Sequence, residues 1–363
     1  MLRRGEGASI RPNSLILLSL LFFGYLALAS LGAALIGRPL EPLPLLLALA
    51  GWAALAAGYA LIPSPPSWTY AAAIALLALG TLGRSPAGLA LVTLLTLAFA
   101  ALRRPLEEGI RSAKPRSPAS VLPALSVGLI LYSAGAVAFG LPLVQEGASR
   151  AGSVSRVFGL ATLLLTSATA LSGSAPLAAA SSILGLLTGF RSYAALPALA
   201  WAIPRASSGS WRRVLAFAAV VAAGGAALGA MRGITGEPDP LGVVSRASFT
   251  YWVYETIALN SLPWGLFRGG LLFSTDPRRE VARLFGRGAT RYTYFIMGQP
   301  VGDFGLLAPL EALAMGVALR DSGEGSSGAL ALAYLSVAVE TGLDPLVLGV
   351  LLTCAYVSRV RSE

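Results

Sequence analysis

The chain has 363 residues, of which 55% are apolar and 12% charged, and its mean hydropathy is +0.72. Soluble domains carry about 25% charged residues, so this composition excludes an ordinary soluble protein and predicts an all-α membrane protein. Because the sequence has no histidine and one cysteine, Cys354, histidine bases, intrachain disulfides and cysteine zinc sites are excluded. We therefore expect neither a metal nor a cofactor.

Apolar windows predict about twelve membrane-spanning helices in a single integral membrane domain, residues 1–363. The first window is too long for the apolar part of a signal peptide, so we expect it to be a retained span. The predicted spans lie near residues 14–36, 43–62, 67–82, 86–102, 119–143, 157–172, 175–190, 192–204, 214–230, 305–319, 328–342 and 345–358.

Positive charge in the short loops predicts the orientation of the bundle. Basic residues concentrate on the side of the two termini, for example Arg103, Arg104 and Arg111 after the fourth span. The pattern predicts a multi-pass protein of the cell membrane with both termini in the cytoplasm. Residues 231–304 then form a large helical loop outside the cytoplasm, although long loops cross the membrane largely regardless of their charge.

This outer loop is the most polar part of the chain. Aromatic and apolar residues at helical spacing predict a helix over 243–260, with Tyr251, Trp252 and Tyr254 at the depth of the lipid headgroups. A glycine-rich turn follows, and Asp276 before Pro277 predicts the start of a second helix. The loop carries eight arginines: Arg232, Arg246, Arg268, Arg278, Arg279, Arg283, Arg287 and Arg291.

Arginine is suited to bidentate hydrogen bonds with phosphate, so these arginines indicate a lipid diphosphate as the partner. We single out Arg246, Arg268 and Arg291, together with Arg191, which interrupts apolar sequence where a charge is costly without a partner. We expect Arg191, Arg246 and Arg291 to converge on the substrate. The arginines near residue 280 have a simpler interpretation as contacts to headgroups. Nothing in the sequence indicates a nucleotide-binding loop or nucleic acid as a partner.

Four stretches of the sequence resemble the oligosaccharide repeat-unit polymerases of the O-antigen polymerase type. They fall within residues 185–319 and read LLTGFRSYAALPAL, VVSRASFTYWVYETIALN, PWGLFRGGLLF and GRGATRYTYFIMGQPVGDFGLLAPLEALAMG. The N-terminal half matches this family only as generic spans. Two positions depart from the pattern: Arg268 stands where a histidine or another polar residue is expected, and Gly305 is followed by Leu-Leu-Ala.

The resemblance implies a fold like the GT-C class of lipid-sugar transferases. It also implies a reaction in which a glycan on a polyprenyl or dolichyl (di)phosphate is transferred to the sugar of another lipid-linked repeat unit. A flippase or a chain-length regulator is a possible partner. A carboxylate would accept the proton of the acceptor hydroxyl, and Asp303 and Glu255 are the candidates. Asp303 has a structural alternative as the N-cap of the following span.

Three other functions stay open at this point. A glycan ligase would use a similar arginine-rich loop, but such ligases are expected to need a loop histidine, which this chain lacks. A transporter or flippase for an anionic lipid would be expected to show inverted repeats and charges at mid-membrane, and neither pattern is evident. A purely structural subunit would not need Arg191 within apolar sequence.

Overall fold

A computed structural model describes residues 13–113, 117–141, 143, 153–207, 242–288 and 290–363. In these residues the regular structure is helical, as predicted. The helices in chain order are α1 (Asn13–Leu35), α2 (Pro42–Leu61), α3 (Ser67–Leu82), α4 (Pro86–Ser112), α5 (Pro118–Phe139), α6 (Ser153–Ser172), α7 (Ala175–Leu187), α8 (Arg191–Ser207), α9 (Gly242–Ser261), α10 (Pro277–Leu284), α11 (Gly298–Phe304), α12 (Ala308–Asp321), α13 (Ser326–Thr341) and α14 (Pro345–Ser362).

Each predicted span that falls on the described residues has a helix as its counterpart, and the predicted span 214–230 lies outside them. The total of twelve spans stays a prediction. Six segments of the described chain have the length and apolar composition to cross a membrane: Ser14–Leu35, Pro42–Leu61, Pro86–Ser112, Pro118–Phe139, Gly298–Asp321 and Pro345–Ser362.

α4 is longer than the sequence predicted. The predicted span covers residues 86–102, whereas the helix continues to Ser112. Arg103 and Glu107 are one turn apart and form an ion pair of 2.7 Å, and such pairs support an exposed helix by a few tenths of a kcal/mol.

α13 lies in the middle of the main core, where Ala333, Leu335 and Ala338 are fully buried. It packs against α1, α8 and α14, while α2 packs against α12. The α2–α12 contact depends on small residues: a side chain at Gly58 would lie 2.0 Å from the carbonyl oxygen of Leu313. Close helix approach through glycine is the usual way to pack helices in a membrane.

α9 is the predicted helix over 243–260, but two of its aromatic side chains lie elsewhere than expected. Tyr251 and Tyr254 are fully buried, and the Tyr254 hydroxyl donates to the carbonyl of Pro44 at 2.7 Å. Both rings pack against Phe295. They therefore face the protein core rather than lipid headgroups, because α9 lies against α1 and α2. Trp252 stays partly exposed.

The glycine-rich turn after α9 and the Gly-Asp-Phe-Gly stretch that ends α11 interlock. Phe267 N–H donates to the Gly302 carbonyl at 2.9 Å, and Leu306 N–H donates to the Pro263 carbonyl at 2.9 Å. A side chain at Gly305, whose φ is +57°, would lie 2.2 Å from the Pro263 carbonyl oxygen. The two glycine motifs are thus required together, because each leaves room for the backbone of the other.

We call the end of the bundle that carries residues 242–304 the loop end. Tyr294 joins it to the last two helices, since its hydroxyl donates to the Leu343 carbonyl at 2.7 Å. Ile296 N–H donates to the Val339 carbonyl at 3.3 Å. The C-terminus of α13 and the start of α14 are therefore held against the extended segment that precedes α11.

Candidate functional site

An ion pair between α9 and the C-terminus of α13 forms the centre of the loop end. Arg246 Nε donates to Glu340 Oε1 at 2.7 Å, and Arg246 Nη2 lies 3.4 Å from Thr293 Oγ1. The side chains of Arg246 and Glu340 are 41% and 44% exposed, so a ligand can reach both. The hydroxyl of Thr250, which is fully buried, lies 3.2 Å from Thr293 Oγ1 and helps to hold the Thr293 side chain in place.

Arg278 contacts the same helix terminus, and Arg291 lies on the segment whose backbone bonds to Arg278. Arg278 donates to the Thr341 carbonyl at 3.1 Å and to Asp344 Oδ2 at 3.2 Å, and cations at a helix C-terminus are favoured by the helix dipole. Arg291 pairs with Asp276 at 2.6 Å. The backbone connects the two, because Tyr292 N–H donates to the Arg278 carbonyl at 3.0 Å.

We call Arg246, Arg278 and Arg291 the arginine cluster. Thr293, which contacts Arg246, is two residues from Arg291, so the segment that carries Arg291 also reaches Arg246. Arg278, for which the sequence favoured a headgroup contact, belongs to the same network. Each arginine already has a carboxylate partner, and these partners hold the guanidinium groups in place.

Arg191 is the first residue of α8, which packs against α13. Its Nε is buried and has no hydrogen-bond partner among the described residues. A buried guanidinium nitrogen without a hydrogen-bond partner costs free energy of folding. A bound anion would supply the partner that this nitrogen lacks. Within the described part of the chain Arg191 makes no direct contact with the arginine cluster, so their convergence stays a prediction.

Arg268 lies apart from the cluster. It is exposed, has a φ of +49°, and lines a cavity of about 400 Å³ together with Asn260. Arg246 and Asn260 are fourteen residues apart on α9, which corresponds to roughly 21 Å along the helix. Arg268 and Arg246 are therefore at opposite ends of α9.

Glu255, a predicted catalytic carboxylate, is 1% exposed. One of its oxygens accepts the backbone N–H of Glu41 at 2.8 Å, and the other accepts a hydrogen bond from Arg38. Burial raises the pKa of this carboxyl, and the Glu41 N–H and the Arg38 charge oppose the rise. Glu255 thus ties the connection between α1 and α2 to α9.

Asp303, the other predicted catalytic carboxylate, is also 1% exposed. Its Oδ1 accepts Leu271 N–H at 2.9 Å, and its Oδ2 accepts Leu272 N–H at 2.7 Å and Gln299 Nε2 at 3.1 Å. The alternative interpretation as an N-cap is wrong, because Asp303 lies inside α11 and bonds to the glycine-rich turn instead. The carboxylate fixes this turn against α11.

The sequence interpretation missed Glu340, Asp344 and Arg38 as site residues. Glu340 is a charge at the end of an apolar run, a pattern that signals function in membrane proteins. Arg38 follows the first predicted span as an isolated charge in a short loop. It lies at one end of a groove between α1 and α9 with a volume of about 480 Å³, whose wall also includes Gly32, Leu35, Ile36, Val244, Ser245, Ser248, Phe249 and Trp252.

The spanning helices and the arginine-rich loop end define a multi-pass helical membrane protein with a polar, arginine-rich surface at one end. The O-antigen polymerase family model matches residues 10–353, so the chain belongs to this family. The resemblance noted in the sequence is confirmed and extends over the N-terminal half. No curated protein and no solved structure shows significant similarity to the chain.

Membership in this family assigns the chain to membrane glycosyltransferases of polysaccharide biosynthesis that polymerise oligosaccharide repeat units. The family also implies a lipid-linked oligosaccharide as the substrate. These statements agree with the reaction class that the sequence predicted.

Proposed function

We propose that the chain transfers a growing glycan from a polyprenyl or dolichyl (di)phosphate donor to the sugar of a second lipid-linked repeat unit. The reaction takes place at the loop end, on the outer face of the cytoplasmic membrane, with both termini in the cytoplasm. The observation that carries this proposal is the arginine cluster around the C-terminus of α13, where Arg246 is exposed beside Glu340.

In the donor the sugar is bonded to a phosphate group, which is already a good leaving group. The main chemical task is therefore to stabilise the negative charge that develops on this phosphate as it leaves. Arg246, Arg278 and Arg291 supply three guanidinium groups that are charged at any working pH. Charge-assisted contacts contribute about 1.5–3 kcal/mol each. Arg191 would complete the anion site from α8, whereas Arg268 lies at the opposite end of α9 from Arg246 and is not part of this site. This mechanism uses no metal.

The groove between α1 and α9 supports a lipid-linked substrate. Leu35 and Ile36 on its wall are 58% and 70% exposed, which gives it an apolar side where α1 meets the bilayer. Arg38 at its end is 35% exposed and is held by Glu255. An apolar wall that ends in a cation fits a molecule with an isoprenoid tail and an anionic head.

Asp303 and Glu255 keep their place in the proposed site, but the geometry favours a positioning role for both. Asp303 holds the glycine-rich turn that carries Arg268, and Glu255 holds Arg38. A flippase that delivers repeat units to the outer face, and a chain-length regulator that ends the reaction, are the expected partners.

The proposed reaction is tested with purified protein in lipid nanodiscs. The donor and acceptor are lipid-linked repeat units extracted from cells of the source organism that lack this polymerase. A ladder of products spaced by one repeat unit, formed also in the presence of EDTA, supports the proposal. A single transfer to a different acceptor lipid would indicate the ligase alternative, and no transfer with folded protein would contradict the proposal.

A further inference from the structure

We propose that Glu340 is the catalytic base that takes the proton from the acceptor hydroxyl. This inference rests on the proposed function and deepens it, since it assigns a residue that neither the sequence interpretation nor the family match singled out. It starts from the position of Glu340, which shares a hydrogen bond of 2.7 Å with an arginine that would hold the leaving diphosphate.

The other carboxylates near the cluster are already engaged. Both oxygens of Asp303 and of Glu255 accept hydrogen bonds, and both side chains are buried. Asp344 uses Oδ1 to cap α14 at Val347 N and Oδ2 to accept Arg278. Asp276 accepts Arg291 twice on Oδ2, at 2.6 and 2.8 Å, and although its Oδ1 has no partner among the described residues, its side chain is only 20% exposed.

Glu340 differs in two respects. Its side chain is 44% exposed, so a substrate can reach it. Arg246 anchors Oε1, whereas Oε2 has no hydrogen-bond partner within the described part of the chain. A general base has to lie within hydrogen-bond reach of the proton that it removes, and here one oxygen is fixed while the other is available.

The surroundings of Glu340 fit a bound sugar. Thr293 presents a hydroxyl group beside Arg246, and a hydroxyl both donates to and accepts from the hydroxyls of a sugar. Arg246 would then contact both the base and the leaving diphosphate. The acceptor hydroxyl and the phosphate of the donor would then both lie next to the guanidinium group of Arg246.

Glu340 Oε2 takes the proton of the acceptor hydroxyl while the hydroxyl oxygen forms a bond to the anomeric carbon of the donor. The bond between that carbon and the phosphate oxygen breaks, and its electron pair leaves with the lipid diphosphate. The arginine cluster receives the new negative charge, and the proton on Glu340 then returns to water.

The test compares the wild type with Glu340→Gln in nanodiscs that contain lipid-linked repeat units. Glutamine keeps an oxygen that can accept from Arg246 Nε but takes up no proton. We expect the turnover rate to fall by roughly 10²–10⁴-fold. The affinity for polyprenyl diphosphate, measured by isothermal titration calorimetry, should change less than about threefold. The matched control is Glu280→Gln, which removes an arginine-paired carboxylate on α10 and should leave turnover unchanged.

A second variant separates catalysis from folding. Glu340→Ala leaves a space beside Arg246 that formate can enter, and we expect added formate to restore part of its turnover while Arg246→Ala is not restored. Full turnover of Glu340→Gln, an equal loss in Glu280→Gln, or absence of formate rescue in folded Glu340→Ala would each overturn the inference. If the wild type forms no polymer at all, the proposed function fails instead.

Discussion

Gly265 and Asp303 meet backbone to backbone: a side chain at Gly265 would lie 2.1 Å from the carbonyl oxygen of Asp303. Gly265 also has a φ of +85°, a conformation that other residues adopt only at a cost. This contact locks the glycine-rich turn to α11 and so fixes the side of the loop end that carries Arg268.

The first prediction concerns this contact. Gly265→Ala should destabilise the protein by more than about 2 kcal/mol, because it combines left-handed strain with a clash against backbone. The control is Gly286→Ala, where φ is +67° but no atom lies within 4 Å of the new methyl group, so only the strain of about 1 kcal/mol remains. Thermal unfolding of the two variants in detergent measures the difference, and equal losses would contradict the interlock.

The second prediction separates two roles of Asp303. Asparagine offers one acceptor oxygen where the carboxylate offers two, so one of the Leu271 and Leu272 N–H groups loses its partner in Asp303→Asn. An unpaired buried group costs about 1–3 kcal/mol, and we expect reduced stability together with residual polymerisation. Normal stability with complete loss of turnover would show instead that Asp303 acts as the general base.

The third prediction tests the groove between α1 and α9. Ser248→Trp should fill the groove beside Gly32 and Arg38 and raise the KM for the lipid-linked donor at least tenfold, with a smaller effect on the turnover rate. Leu259→Trp is the control, because Leu259 lies on the same helix outside the groove and is 49% exposed. If both variants keep the KM of the wild type, the lipid tail lies elsewhere.

The fourth prediction concerns orientation. A reporter that is active only in the cytoplasm should be silent when it is inserted at Gly286 in the outer loop and active at Gly325 between α12 and α13. Both glycines are surface positions with free space around them. The reverse pattern would place the loop end, and the proposed active site with it, on the cytoplasmic side.

The sequence predicted the helical class and the positions of the helices well, because bilayer-length apolar runs follow directly from the thickness of the membrane. It also singled out Arg246 and Arg291, because arginine is suited to bidentate contacts with phosphate, and their role in binding the substrate stays a prediction. It did not predict the partners. Glu340 lies 94 residues from Arg246 along the chain, and no local pattern indicates such a pairing.

Contacts between distant parts of the chain also explain why the sequence did not predict that Asp303 and Glu255 are buried and hold backbone segments in place. The sequence shows a carboxylate beside glycines or within a helix, but it does not show that both oxygens of Asp303 accept backbone N–H groups from a turn thirty residues away. Tyr251 and Tyr254 were expected at the membrane surface for a similar reason. Aromatic residues at helical spacing are typical of headgroup contacts and of a protein core alike, and the packing of α9 decides between them.

The central claim is that the arginine cluster binds the lipid diphosphate through bidentate hydrogen bonds from the planar guanidinium groups and not through charge alone. The direct test is the chain-length distribution of the surface glycan in cells that carry Arg246→Lys, Arg246→Ala or Arg279→Ala. Lysine keeps the positive charge but cannot make the bidentate hydrogen bonds of arginine. We therefore expect Arg246→Lys to shorten the glycan nearly as much as Arg246→Ala, and Arg279→Ala, which changes an exposed residue of α10, to leave it unchanged. Normal chain length with Arg246→Lys, or equal shortening with Arg279→Ala, would contradict the claim.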